Sequence, residues 1–156
     1  MFETTSRLIN LELFTDSQLG HNVLKELPHS LSKMESLRKL RLRVQHVIEI
    51  HYVNEFATYL GKCSQLTEFS LYFNFETLDN DTLCKLGKSI SSLINLKILT
   101  VKINKYTFYS CAFDHSGIKN LLDGISQLTE LEEVSIRLNG SEAQFEQLKN
   151  LVNLKA

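Results

Sequence analysis

Four kinds of residue pattern in this chain are of types that do chemistry. Cys111 and His115 have a spacing that would suit half of a metal site, and His46 and His51 form another pair. A closed zinc site needs four ligands, grouped at recognisable spacings. Neither pair has a second cluster to complete it, so no metal is expected. Leu86-Gly87-Lys88-Ser89 contains the Gly-Lys-Ser end of a phosphate loop. The earlier glycine of that motif is missing, and the segment does not follow a strand. A helix surface explains it better. Cysteine–histidine catalysis would need a dedicated geometry. Cys63 shares its slot with apolar residues and reads as core, while Cys84 falls on a predicted helix. The carboxylates of Glu132-Glu133 and of Asp79 and Asp81 are of surface type. No catalytic residue and no cofactor are expected, and the chain does not read as an enzyme.

What positions these residues is a pattern in the apolar side chains. Leucine, two residues, apolar, one residue, apolar occurs as Leu8-Leu11-Leu13, Leu37-Leu40-Leu42, Leu66-Phe69-Leu71, Leu96-Leu99-Val101 and Leu131-Val134-Ile136. The first leucines are 29, 29, 30 and 35 residues apart, and Leu154 begins a sixth unit. Six residues before each of the later first leucines stand Leu31, Leu60, Ile90, Ile125 and Leu148. Three before stand Met34, Cys63, Leu93, Leu128 and Leu151. In the four central units, Leu27, Phe56, Leu86 and Leu121 stand ten before, and Leu24, Val53, Leu83 and Ile118 thirteen before. Steps of three and four mark one face of a helix, and steps of two mark one face of a strand. Each unit therefore reads as helix, short loop, strand. One unit cannot cover its own apolar face, but stacked units can.

The strand motif and the period resemble the leucine-rich repeat family, and the long helix is similar to its ribonuclease-inhibitor-like subclass. The resemblance covers nearly all of residues 1–156. It implies one α/β leucine-rich repeat solenoid of about five repeats, with a curved parallel sheet on the concave side and helices on the convex side. Three departures stand out. Val44, Phe73, Ile103 and Leu138, with Thr15 in the first unit, lengthen the strand by one apolar step. The next residues, Asp16, Gln45, Asn74, Asn104 and Asn139, resemble the family's asparagine ladder, whose side chains satisfy backbone groups in the turn. Pro28 should kink or shorten the first helix. Gly61, Gly87 and Gly117 fall near expected helix ends or starts.

If the leucines face the core, the residues between them line the concave face in three columns. The first is Asn10, Lys39, Glu68, Ile98 and Glu133. The second is Glu12, Arg41, Ser70, Thr100 and Ser135. The third is Phe14, Arg43, Tyr72, Lys102 and Arg137. Five basic residues against three acidic ones give the face a balance of +2, on a chain whose net charge is −1. Arginine and tyrosine are enriched at protein interfaces. The partner-binding candidates are Phe14, Arg41, Arg43, Tyr72, Lys102 and Arg137, facing a protein segment of acidic character. The same columns would also suit an ordinary solvated sheet face. An insertion at 105–115 brings four aromatics together, either as a partner anchor or packed onto the repeats.

The bulk properties bound the remaining possibilities. With 43% hydrophobic and 22% charged residues, the chain is ordinary for a globular protein. Near-neutral charge argues against a general affinity for nucleic acid. No apolar run approaches the about 20 residues that cross a bilayer, and Met1-Phe2-Glu3-Thr4-Thr5 lacks the build of a secretion signal. Three cysteines without paired spacing suggest free thiols in the cytoplasm. The pattern begins and ends in mid-unit, which suits a fragment of a longer solenoid or ends covered by a partner. The expected function is a non-catalytic protein–protein interaction module, a scaffold or a subunit of a larger assembly. The alternative is a regulatory subunit, either a small-GTPase activator or a ubiquitin-ligase substrate receptor.

Overall fold

The structure is a computed structural model that describes residues 7–15, 19–47, 49–75, 78–105 and 114–138. Strands and helices alternate along the chain. The strands are β1 (Asn10–Thr15), β2 (Lys39–Val47), β3 (Glu68–Phe75), β4 (Ile98–Lys105) and β5 (Glu133–Leu138). Between them lie α1 (Leu19–Leu31), α2 (Ile50–Leu60), α3 (Asn80–Ser91) and α4 (His115–Ile125). All strand pairs are parallel, and the sheet order is the chain order, β1-β2-β3-β4-β5.

The register of the sheet repeats the sequence period. Leu11 pairs with Leu40, Leu40 with Phe69, Phe69 with Leu99 and Leu99 with Val134. The same backbone link recurs at every step. The Ile9 carbonyl accepts from the amides of Arg38 and Lys39, and the Arg38 carbonyl from those of Thr67 and Glu68. The Thr67 carbonyl accepts from Lys97 and Ile98, and that of Lys97 from Glu132 and Glu133, all at 2.7–3.1 Å. One carbonyl thus satisfies two amides where each of β2 to β5 begins.

The core lies between the sheet and the helices. Every helix and loop position expected to face inward in the four central units is buried, from Leu24, Leu27, Leu31, Met34 and Leu37 to Ile118, Leu121, Ile125, Leu128 and Leu131. Val44, Phe73, Ile103 and Leu138 are buried too, so the strands do carry an extra inward-facing apolar step. Phe56 of α2 bridges the layers, with its ring 6.3 Å from Phe69 and 6.2 Å from Phe73. Each such side chain contributes about 1.5–3 kcal/mol through burial. Leu78 and Leu122, outside the repeated positions, join the core.

Of the two effects expected of Pro28, a kink or a shortening of the first helix, the shortening does not occur: the helix continues to Leu31, over 13 residues. A helix-interior proline costs about 3 kcal/mol. Burial of Leu27 and Leu31 on either side of it contributes a comparable amount. Gly87 also lies inside α3, not at its end. The aromatic insertion at 106–113, Asp16, Asn139 and the terminal segments carrying Phe2, Thr5, Leu148, Leu151 and Leu154 lie outside the described residues.

Candidate functional site

Because side chains alternate along a strand, burying one set presents the other on the far face of the sheet. The pairing puts the three expected columns in line. Asn10, Lys39, Glu68, Ile98 and Glu133 are successive register partners, as are Glu12, Arg41, Ser70, Thr100 and Ser135. Phe14, Arg43, Tyr72, Lys102 and Arg137 follow in the same way. The whole third column, with Arg41, Ser70 and Thr100 of the second and Glu68, Ile98 and Glu133 of the first, lines a groove of about 730 Å³ that reaches from Phe14 to Arg137. No described helix lies on this open face, although Ser70 is buried within it.

All six candidate residues stand together on the open face, but their surroundings differ. Lys39 Nζ lies 3.1 Å from Glu68 Oε2 and 3.8 Å from Glu12 Oε1. Arg41 lies 3.2 Å from Glu12 and 4.0 Å from Glu68. Arg41 is therefore shared between two carboxylates. Arg43 donates to the side-chain oxygen of Gln45 from Nη2 at 2.8 Å and from Nε at 3.0 Å, in the amide orientation that satisfies both groups. Lys102 Nζ sits 5.0 Å from the centroid of the Tyr72 ring, a cation–π contact. Phe14 is 64% exposed, at the β1 edge of the face.

Glu12, Glu68 and Gln45 thus contact candidate residues without having been singled out themselves. Their signal was present in the sequence. Glu12 stands one repeat before Arg41 and Glu68 one repeat after Lys39, so a column reading brings them side by side.

At the strand ends the expected amide ladder is met in part: of the described residues, Asn74 makes the side-chain-to-backbone bond and Asn104 bonds a side chain. Asn74 Nδ2 donates to the Gln45 carbonyl at 2.8 Å, and Asn104 Nδ2 to Asn74 Oδ1 at 3.3 Å. Between Val44 and Val47 the register shifts, so Gln45 contributes its backbone, not its side chain, to this ladder.

The other chemistry-bearing residues take structural places. Asp79 caps α3, accepting from the Thr82 amide at 2.8 Å. Asp114 caps α4 through Ser116, and the two hydrogen bonds from Ser116 hold its carboxyl below the usual carboxylate range. Asp81 pairs with Lys85, and Glu132 with Lys97 at 3.2 Å. Gly87-Lys88-Ser89 lies within α3. Cys63 is buried, and burial pushes its thiol up to about 11. His115 is exposed at the start of α4, whereas Cys111 and the side chain of His46 lie outside the described residues. Among the described residues no three His, Cys, Asp or Glu stand close enough to hold a metal, and no helix is long and apolar enough to cross a membrane.

Comparison with protein-family models, with curated proteins and with solved structures finds no significant match in any of the three.

Proposed function

We propose that the chain is a leucine-rich repeat solenoid of the ribonuclease-inhibitor-like kind, and that it binds another protein through the open face of its sheet. On this reading it is a non-catalytic interaction module, working as a scaffold or as a subunit of a larger assembly. One observation carries the proposal. Five parallel strands in chain order present three aligned columns of polar, charged and aromatic side chains on a face that no described helix covers. Such extended surfaces suit long partner segments better than small ligands, which favour enclosed pockets. The recurrent backbone links and the 29–30 residue register offsets of the first four strands support the repeat assignment. A cytoplasmic setting belongs to the same reading, since Cys63 and Cys84 are free thiols.

Site-specific photocrosslinking tests the face. A photoreactive phenylalanine analogue at Thr100 or Ser135 should capture a discrete protein in extracts of the source cells. The same analogue at Lys88, on the outer surface of α3, should capture none. Capture from Lys88 with none from Thr100 or Ser135 would move the binding site to the helices.

A further inference from the structure

Four of the five cations of the open face are held, in two ways. Lys39 and Arg41 are paired with Glu12 and Glu68. Arg43 and Lys102 are held by neutral partners, the Gln45 amide oxygen and the Tyr72 ring. No ion pair engages Arg137 among the described residues. Charge therefore separates along the strands. The first two columns carry two cations and three acids, a balance of −1, and the third carries three cations and no acid. An amide or a ring fixes a cation in place without cancelling its charge. Arg43 and Lys102 are thus held in place yet electrostatically open, in the column that lies furthest along the strands of the three.

We propose that the row Phe14, Arg43, Tyr72, Lys102, Arg137 is a track for an extended acidic peptide segment of a protein partner, lying across the strands. The inference rests on the open face being the binding face, and it narrows that face to one row that excludes Arg41. Spacing fixes the peptide's pattern. Neighbouring strands lie about 4.8 Å apart. The midpoint between Lys102 and Arg137 is then about 12 Å from Arg43. In an extended peptide, side chains at i and i+4 point the same way about 13 Å apart. One carboxylate meets Arg43 and the second lies between Lys102 and Arg137. The residue at i+2 falls near Tyr72, and an apolar residue at i−2 reaches Phe14. The recognised pattern is apolar-x-acid-x-x-x-acid.

Fluorescein-labelled peptides of about twelve residues built on Leu-Ser-Glu-Ser-Tyr-Ser-Glu test this against the full chain, by fluorescence anisotropy and by amide-shift mapping. Comparison peptides carry the two acids side by side, or replace them with glutamine or with lysine. The spaced acidic peptide should bind tightest and shift amides around the third column. Replacing Arg43, Lys102 and Arg137 together by glutamine should weaken it by about tenfold or more. The charge-neutral set Glu12→Gln, Lys39→Gln, Arg41→Gln and Glu68→Gln should change it by less than about twofold.

Equal losses in the two variants would overturn the row, as would tighter binding of a twelve-nucleotide oligothymidylate. If the glutamine or lysine peptide binds best and shifts open-face amides, the acidic inference falls but the binding face stands. If no peptide shifts those amides, both fall. Shift mapping uses the unaltered chain, so its outcome does not depend on any variant folding.

Discussion

Cys63 fills the slot that Met34, Leu93 and Leu128 occupy in the other repeats, and like them it is buried. Its thiol stands 3.7 Å from the Tyr59 carbonyl and 3.9 Å from that of Leu31, so the weak donor has acceptors within reach. Burial disfavours the charged thiolate and raises the group from 9.0 to about 11. A raised value in the folded chain means that the contribution is intact below about pH 9 and lost as pH climbs through about 11. Across that window Cys63 should remove roughly 1–3 kcal/mol of stability, and Cys63→Ala should flatten that part of the urea-denaturation profile. Peptide mapping after brief iodoacetamide treatment at pH 8 should find Cys84 labelled before Cys63. Asp114 has the opposite sign. Its carboxyl is held low by Ser116, so its contribution is present above the ordinary carboxylate range and is lost as pH falls below it. The Asp79 cap of α3 should cost about 1 kcal/mol on replacement by alanine, measured by thermal melting at neutral pH.

Helices α3 and α4 approach so closely that glycine is required at their contact. A Cβ on Gly124 would strike the Gly87 carbonyl and lie 2.7 Å from Gly87 Cα. One on Gly87 would lie 2.6 Å from the Asn120 oxygen and 3.0 Å from Leu121 Cα. These neighbours are backbone and cannot swing away. Gly87→Ala and Gly124→Ala should each cost about 1–3 kcal/mol in urea denaturation. Gly61→Ala should be neutral or stabilise by up to about 1 kcal/mol, because its nearest neighbour would be 3.5 Å away and its backbone is already right-handed. This contrast marks what was legible beforehand. Inward-facing positions such as Phe56 and Ile103 follow from periodicities of a single element, and the open-face columns follow from the repeat length, since repeat length and strand offset coincide. Both are local. The Gly87–Gly124 contact depends on how near two helices come, which no spacing within either helix encodes. Pro28 does not shorten α1 for a similar reason: burial of Leu27 and Leu31 offsets a local preference. At the candidate site, the six residues, their rows and the adjacency of Glu12 to Arg41 were legible, but the diagonal approach of Arg41 to Glu68 and the Arg43–Gln45 contact emerged only once side chains were placed across strands.

At the scale of the molecule, among the described residues strands pair only with strands adjacent in the chain and helices pack on the next helix, so each layer touches its neighbours in the chain. Stability in such an arrangement approximates a sum of units and nearest-neighbour interfaces. Perturbations should then couple within a contact and not across the molecule. Phe56 and Phe73 touch edge to face, 6.2 Å between ring centres. A double-mutant cycle of Phe56→Leu and Phe73→Leu should show about 0.5–1.5 kcal/mol of coupling. Val44 in β2 and Ile125 in α4 are both buried but share no neighbouring layer. Val44→Ala and Ile125→Val should add to within about 0.5 kcal/mol. Equilibrium urea denaturation of the four single and two double variants measures both quantities together. Coupling between Val44 and Ile125 as large as that of the two phenylalanines would mean that the core responds as one block, and the nearest-neighbour description would have to be given up.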